Sequence, residues 1–356
     1  MTSKLDTLCA YAKGKIAVED LNAQTYISTE NMISNKGGIV YASSLPSVQY
    51  TQQYLKGDVL VSNIRPYFKK IWMADYDGGC SNDVLVFRAK DGCDPTFLYY
   101  VLANDVFFDY ATATSKGTKM PRGDKTAIMQ YDVPDFDLDT QLRIGKLLRS
   151  LDDRIATNKK INDNLQQQAH AIYVSMFITN ADPSWQQGHL SDLVIVKYGK
   201  DHKKLADGNY PVYGSGGIMR YVECPLYDQE SVLIPRKGTL NNVIYVNQPF
   251  WSVDTMFYTE MRLPNVAKFV YHFVKSKDLA SMNTGSAVPS MTTDILNAME
   301  VVIPSAAALE EFERIVSPMY KEMQENDKQS TALGTLRDIL LPKLMSGEID
   351  VSSIQL

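Results

Sequence analysis

The feature that most constrains this chain is that it repeats itself in order. Leu5-x-x-Leu8 followed by Gly14-Lys15 returns as Leu190-x-x-Leu193 followed by Gly199-Lys200. An apolar run entering a basic turn, Val59 to Lys70, returns as Val232 to Asn242. Ser81 to Phe87 is echoed by Ser252 to Tyr258, and the aromatic-rich stretch from Pro95 by the one from Ala267. A Gly-x-x-x-Pro loop follows each, Gly117 to Pro121 and Gly285 to Pro289. Short strands then end at Pro134 and Pro304, and a long helical pattern closes each half. One such match could be chance, but an ordered series is the mark of a duplicated module. The expected fold class is therefore mixed α/β (α+β): two similar globular modules, residues 1–137 and 179–305, each followed by a long helix, 138–178 and 306–346, with a tail at 347–356.

The first helical pattern carries Ile144, Leu148, Leu151, Ile155, Asn158, Asn162, Leu165, Ala169, Ile172 and Met176 in alternating steps of four and three. That is a heptad seam. The second runs Phe312, Val316, Met319, Met323, Asn326, Ser330, Leu333, Leu336, Leu340 and Leu344, with Pro318 and Pro342 expected to bend it. A helix with one apolar stripe must bury that stripe. Either each helix packs on its own module, or the two pair as an antiparallel coiled coil. Pairing would bring Asn158 and Asn162 level with Asn326 and Ser330, a polar layer that fixes register. About 35 helical residues span roughly 50 Å.

The bulk numbers suit a globular protein, 45% hydrophobic and 22% charged. The start lacks a signal-peptide pattern, no apolar run is long enough for a membrane span, and the four scattered cysteines read as reduced thiols, so a cytoplasmic location is expected. A net charge of −5 argues against a general polyanion binder, though not against a reader with local basic patches.

Catalytic signals are missing. There is no Asn/Asp-Pro-Pro-aromatic motif for an extruded adenine and no phosphate loop. His170, His189, His202 and His272 show no ligand spacing, and Gly214-Ser215-Gly216-Gly217 reads as a tight turn, so no metal or cofactor is expected on this chain.

Two stretches look like known conserved segments. Leu336-Arg-Asp-Ile-Leu-Leu-Pro-Lys-Leu-Met-Ser-Gly-Glu-Ile-Asp350 and Leu151-Asp-Asp-Arg-Ile-Ala-Thr-Asn-Lys-Lys-Ile-Asn162, the latter preceded by Gln141, resemble the distal and central conserved helices of type I restriction-modification specificity subunits. Val212 to Gly217 and Phe250 to Phe257 resemble pieces of a target-recognition domain. The resemblance implies two such domains, each reading half of a bipartite double-stranded DNA site, spaced by an antiparallel coiled coil. It also implies two docked adenine-N6 methyltransferase subunits, a motor-nuclease subunit in restricting assemblies, and S-adenosylmethionine on the methyltransferase rather than here. Two rivals stay open: a coiled-coil interaction scaffold that never touches DNA, and a self-contained DNA-modifying enzyme.

The candidate DNA contacts are local basic clusters. In the first module they are Arg65, Lys69 and Lys70 beside Tyr67 and Phe68, and Lys116, Lys119, Arg122 and Lys125 in the Gly-x-x-x-Pro loop. In the second they are Lys200, Lys203 and Lys204 near Lys197, and Arg236, Lys237 and Asn241 beside Asn242. Arg and Asn can pair with base edges, and Lys and backbone N–H groups suit phosphates. The bland reading is a set of solvated loops.

Overall fold

The computed structural model describes residues 2–282 and 290–352. The second Gly-x-x-x-Pro loop, Gly285 to Pro289, and the last residues of the expected tail lie outside the described residues. The chain divides into two compact units. One comprises the residues up to Asn158 together with those from Asp327 onward; the other is Lys159–Asn326.

The first unit is organised by an antiparallel sheet of β1 (Cys9–Tyr11), β2 (Val59–Ser62), β3 (Ile71–Met73) and β4 (Val84–Ala89), in the order β1-β4-β2-β3. Successive side chains of a strand point to opposite faces, and this sheet is covered on both. Val59, Val61, Leu85 and Phe87 enter a core with the helices Pro95–Ala103 and Asp105–Ala113. Leu60, Val84 and Val86 face a second core, with Tyr54 and Ile27 from a smaller sheet. The helix Pro95–Ala103 begins where Asp94 caps the Phe97 N–H at 2.8 Å and proline takes the first turn, where its missing N–H costs nothing. Buried Gln141 fixes this start by accepting from the Asp94 N–H at 3.0 Å.

The second unit repeats the plan. Its sheet comprises β5 (Val194–Tyr198), β6 (Ser231–Pro235), β7 (Ile244–Val246) and β8 (Met256–Met261), in the matching order β5-β8-β6-β7. Val232, Ile234 and Phe257 face the core that contains the helix Ala267–Lys275, while Leu233, Met256 and Tyr258 face the other. Two-stranded antiparallel pairs, Thr2–Lys4 with Asp132–Pro134 and Gln186–His189 with Glu300–Ile303, also correspond. The Gly214 and Gly217 pair closes a hairpin. The helix Asp105–Ala113 has no counterpart among the described residues of the second unit.

The long helices are α1 (Leu138–Val174), whose last turn at Ser175–Thr179 widens to π geometry, and α2 (Ala306–Met345). The second is continuous through Pro318 and Pro342. Gly347, at φ +75, takes the left-handed position that commonly ends a helix. Within the first unit the helices run antiparallel: Asp152 meets Arg337 at 2.6 Å, and Asn158 donates to Gln329 at 2.8 Å and to Ser330 at 3.2 Å. Within the second, Asn326 donates to Asn162 at 2.9 Å, and the rings of Tyr173 and Phe177 lie near Phe312. Each helix portion also packs on its own module. Ile144, Leu148, Leu341 and Leu344 are in the first unit's core, and Ala169, Tyr173, Phe312 and Val316 in the second's. Both ways of burying the stripe therefore operate together.

Polar groups tie helix to module. Tyr100 donates to Asp152 at 2.6 Å in the first unit. In the second, Lys268 bridges Glu313 at 2.7 Å and Glu230 at 3.1 Å. His272, 1% exposed, lies 2.9 Å from the Tyr320 hydroxyl, and burial, with His170 nearby, pushes its pKa down to about 3.

Candidate nucleic-acid interface

Both modules leave the second strand of their sheet through the same turn. After β2 the Asn63 N–H donates to the Asp83 carbonyl, and the Gly123 N–H donates back to Asn63. After β6 the Arg236 N–H donates to the Thr255 carbonyl, and the Met291 N–H to Arg236. The next residue is bridged to the following loop in each case, Ile64 with Arg122 and Lys237 with Ser290. That loop then enters a short helix capped by Asp124 in one module and Thr292 in the other. One residue beyond, the backbone turns left-handed in both, at Arg65 (φ +51) and Gly238 (φ +87). Glycine adopts this conformation without strain, whereas a branching side chain resists it. Arg65 is held there by its N–H on the Pro121 carbonyl at 2.8 Å, and its own carbonyl accepts from Phe68.

The equivalent frames carry different side chains, and the basic residues named from the sequence meet different fates. In the first module Lys69 and Lys36 converge on Asp105 at 3.1 and 2.9 Å. Burial would raise the Asp105 carboxyl, but the two ammonium groups hold it below its usual range. Lys70 donates to the Thr29 carbonyl at 2.7 Å. Lys116 pairs with Asp124, whose carboxyl that ammonium and the Ala127 and Thr126 N–H groups depress. Arg122 forks onto Asp83 at 3.1 and 3.4 Å. Arg65 has its guanidinium 6.0 Å from the Phe68 ring. Lys119 and Lys125 are exposed, and Lys125 opens the short helix rather than a loop.

In the second module Lys200, Lys203, Lys204 and Lys237 are exposed. Arg236 lies 5.3 Å from the Tyr198 ring and donates to the Asp254 carbonyl at 3.3 Å. Asn241 has a local structural task, donating to Asp278 and accepting from the Ala280 N–H, both at 3.0 Å. Asn242 donates to the Ser215 carbonyl at 2.7 Å. Lys197 sits 3.7 Å from Glu260.

Sequence reasoning missed the segment between Ser28 and Gln49 in the first module. It is tied to the basic turn by Asn35 and Lys36 N–H groups on the Phe68 and Lys69 carbonyls, both at 2.8 Å. It exposes Val40, Tyr41, Leu45 and Val48. Its signal was available: the interval between the first two sheet strands is much longer in the first module than in the second.

Among the described residues no cluster of His, Cys, Asp or Glu could hold a metal, and no helix is long and apolar enough to cross a membrane. None of the four cysteines is in a disulfide, and burial pushes the thiols of Cys9, Cys80 and Cys93 up to about 12.

Residues 1–167 and 184–331 match the family described as "Type I restriction modification DNA specificity domain". Among curated proteins, the chain is 21% identical to the type I restriction enzyme MjaIX specificity subunit of Methanocaldococcus jannaschii, covering 74% of this chain and 71% of that one. It is 23% identical to the HindI specificity subunit of Haemophilus influenzae, covering 93% and 96%. The solved S subunit of a type I restriction-modification system from M. genitalium shares the fold, with a TM-score of 0.60 at 20% identity, over 97% of this chain and 96% of that one. The duplicated frame and both family matches place the chain in the type I restriction-modification DNA specificity family, whose members are non-catalytic and serve DNA sequence recognition.

Proposed function

We propose that this chain reads a bipartite double-stranded DNA site, one half per module, and holds two adenine-N6 methyltransferase subunits on it. In a restricting assembly a motor-nuclease subunit joins. S-adenosylmethionine belongs to the methyltransferase. The observation that carries the reading is the pair of equivalent turns: one backbone frame carries buried Asn63 with Asp83 and Arg122 in one module and Arg236, Thr255 and Ser290 in the other. Two copies of a frame with different side chains are what two different half-sites require, because base edges are told apart by donor and acceptor pattern. The exposed lysines of the second module suit phosphates, which fix register and orientation.

The experiment is methylome sequencing of a host with and without the chain, and with residues 1–137 replaced by another family member's first module. The expected result is a two-part methyladenine motif that vanishes with the chain and changes in one half only on replacement. A motif that changed in both halves together would refute the half-per-module reading.

A further inference from the structure

The first module contains a cleft of about 550 Å³ between the Ser28–Gln49 segment and the two basic segments found in the sequence. Ile64 and Met120 line it from the basic side, Tyr41 and Leu45 from the other, and Asp83 and Glu30 bring carboxylates to it. The frame is built for permanence: Lys70 fastens the segment through Thr29, and the bridges Ile64 to Arg122 and Lys116 to Arg122 fasten the loop. Tyr41 is 69% exposed and Met120 47%, so the apolar part of the lining faces solvent.

The charges determine what can enter. The cleft opens among residues that would lie against DNA on the proposed function, yet its own ionic groups are acidic. A phosphate is repelled there. A carboxylate brought against DNA must find a donor, or it loses its hydration with nothing in exchange. In the major groove the donors are the exocyclic amines, cytosine N4 and adenine N6; the other groups on base edges there are acceptors or the thymine methyl. Asp83 uses part of its acceptor capacity on Arg122, in a pair whose members are 53% and 36% exposed, and a carboxylate has about four acceptor positions. The guanidinium thus orients the carboxylate while leaving it able to accept. The exposed apolar side chains suit base faces and methyl groups. In the second module the backbone position equivalent to Asp83 is Thr255, with the carboxylate one residue earlier at Asp254, and the position of Asn63 carries the cation Arg236, so the two modules place their acidic group differently in the frame.

Resting on the proposed function, we propose that this cleft reads the major-groove amine of a cytosine or adenine at one position of the first module's half-site, with Asp83 as the specificity-determining acceptor and Glu30 supporting it. The test uses the full chain with its methyltransferase partner and duplexes carrying the methylated motif. At each position of the first half, adenine is replaced by purine and cytosine by 2-pyrimidinone, which removes only the amine. Binding to wild type should drop about tenfold at one position. Asp83→Ala, which removes the acceptor, should be indifferent to that deletion, and Glu30→Ala should reduce the dependence. Arg122→Gln, which frees the carboxylate, should weaken all sequences together while keeping the dependence. If no amine deletion in that half affects wild type, the proposal fails even where Asp83→Ala does not fold. It fails equally if Asp83→Ala keeps the full dependence. Failure of the half-per-module reading would show separately, as a motif in which both halves change on replacing residues 1–137.

Discussion

The two modules share a sheet order and a turn, and they use their cations differently. In the first, Lys69, Lys116 and Arg122 are each ion-paired with an aspartate of the same module, and only Lys119 and Lys125 of the basic residues named there stand exposed without such a pair among the described residues. In the second, Lys200, Lys203, Lys204 and Lys237 stand exposed. The contrast teaches that a basic cluster in a sequence is a statement about composition and not yet about availability. The frame is common property, and reading is decided by what each side chain is already bound to.

The largest effect that could break this comparison is electrostatic. Replacing Lys200, Lys203, Lys204 and Lys237 with Gln should flatten the salt dependence of DNA binding, the log–log slope falling by about 1 for every phosphate no longer neutralised. Replacing Lys69 and Lys116 should leave the slope nearly unchanged, with at most a small loss of stability. Equal slopes in a salt titration of the two variants would mean that the first module's pairs open on DNA.

A smaller effect separates the units by pH. All four histidines lie in the second unit. The folded pKa of His272 is about 3, below its ordinary value near 6.5. Between those values the unfolded chain binds the proton and the folded one does not. Its contribution is therefore complete above pH 6.5 and is lost as pH falls toward 3, by up to about 1.4 kcal/mol per pH unit. Hydrogen exchange at pH 7.5 and 5.5 should show the second unit loosening more than the first, and His272→Phe should remove the difference. Equal loosening of both units would contradict it.

The smallest effect compares the polar positions between the helices. Asn158 keeps Gln329 when Ser330 is replaced, so Ser330→Ala should cost under about 1 kcal/mol. Asn326→Ala removes the donor to Asn162 and should cost about 1–2 kcal/mol. Urea denaturation would reverse this order if the two layers were not distinct.

What was legible in the sequence was pattern. The heptad steps located α1 and α2, and short continuous apolar runs located β2, β4 and β6, because a strand covered on both faces is apolar at successive positions. What was illegible depended on distant partners. Asp105 lies far along the chain from Lys69, and Asp83 from Arg122, so the neutralisation of those cations becomes visible only when strands and loops are in place. Asn241 looked like a base-reading amide, but its neighbours make it a brace for the chain at Asp278 and Ala280. The Ser28–Gln49 segment has no period at all, and its exposed Tyr41 and Leu45 are indistinguishable in sequence from core residues.

The first unit is discontinuous, and this has a consequence for the order in which the protein matures. Leu341, Leu344 and Val351 share a core with Leu5, Leu8, Phe97 and Leu98. On a ribosome, the whole of the second unit emerges before those residues exist. At roughly 5–20 residues per second, the earliest-made module waits on the order of 10–40 s for its closing helix. During that interval its helix-facing core is open to solvent, while the later-made unit already has every residue it needs. Of the two modules, the one made earlier is the last to be finished.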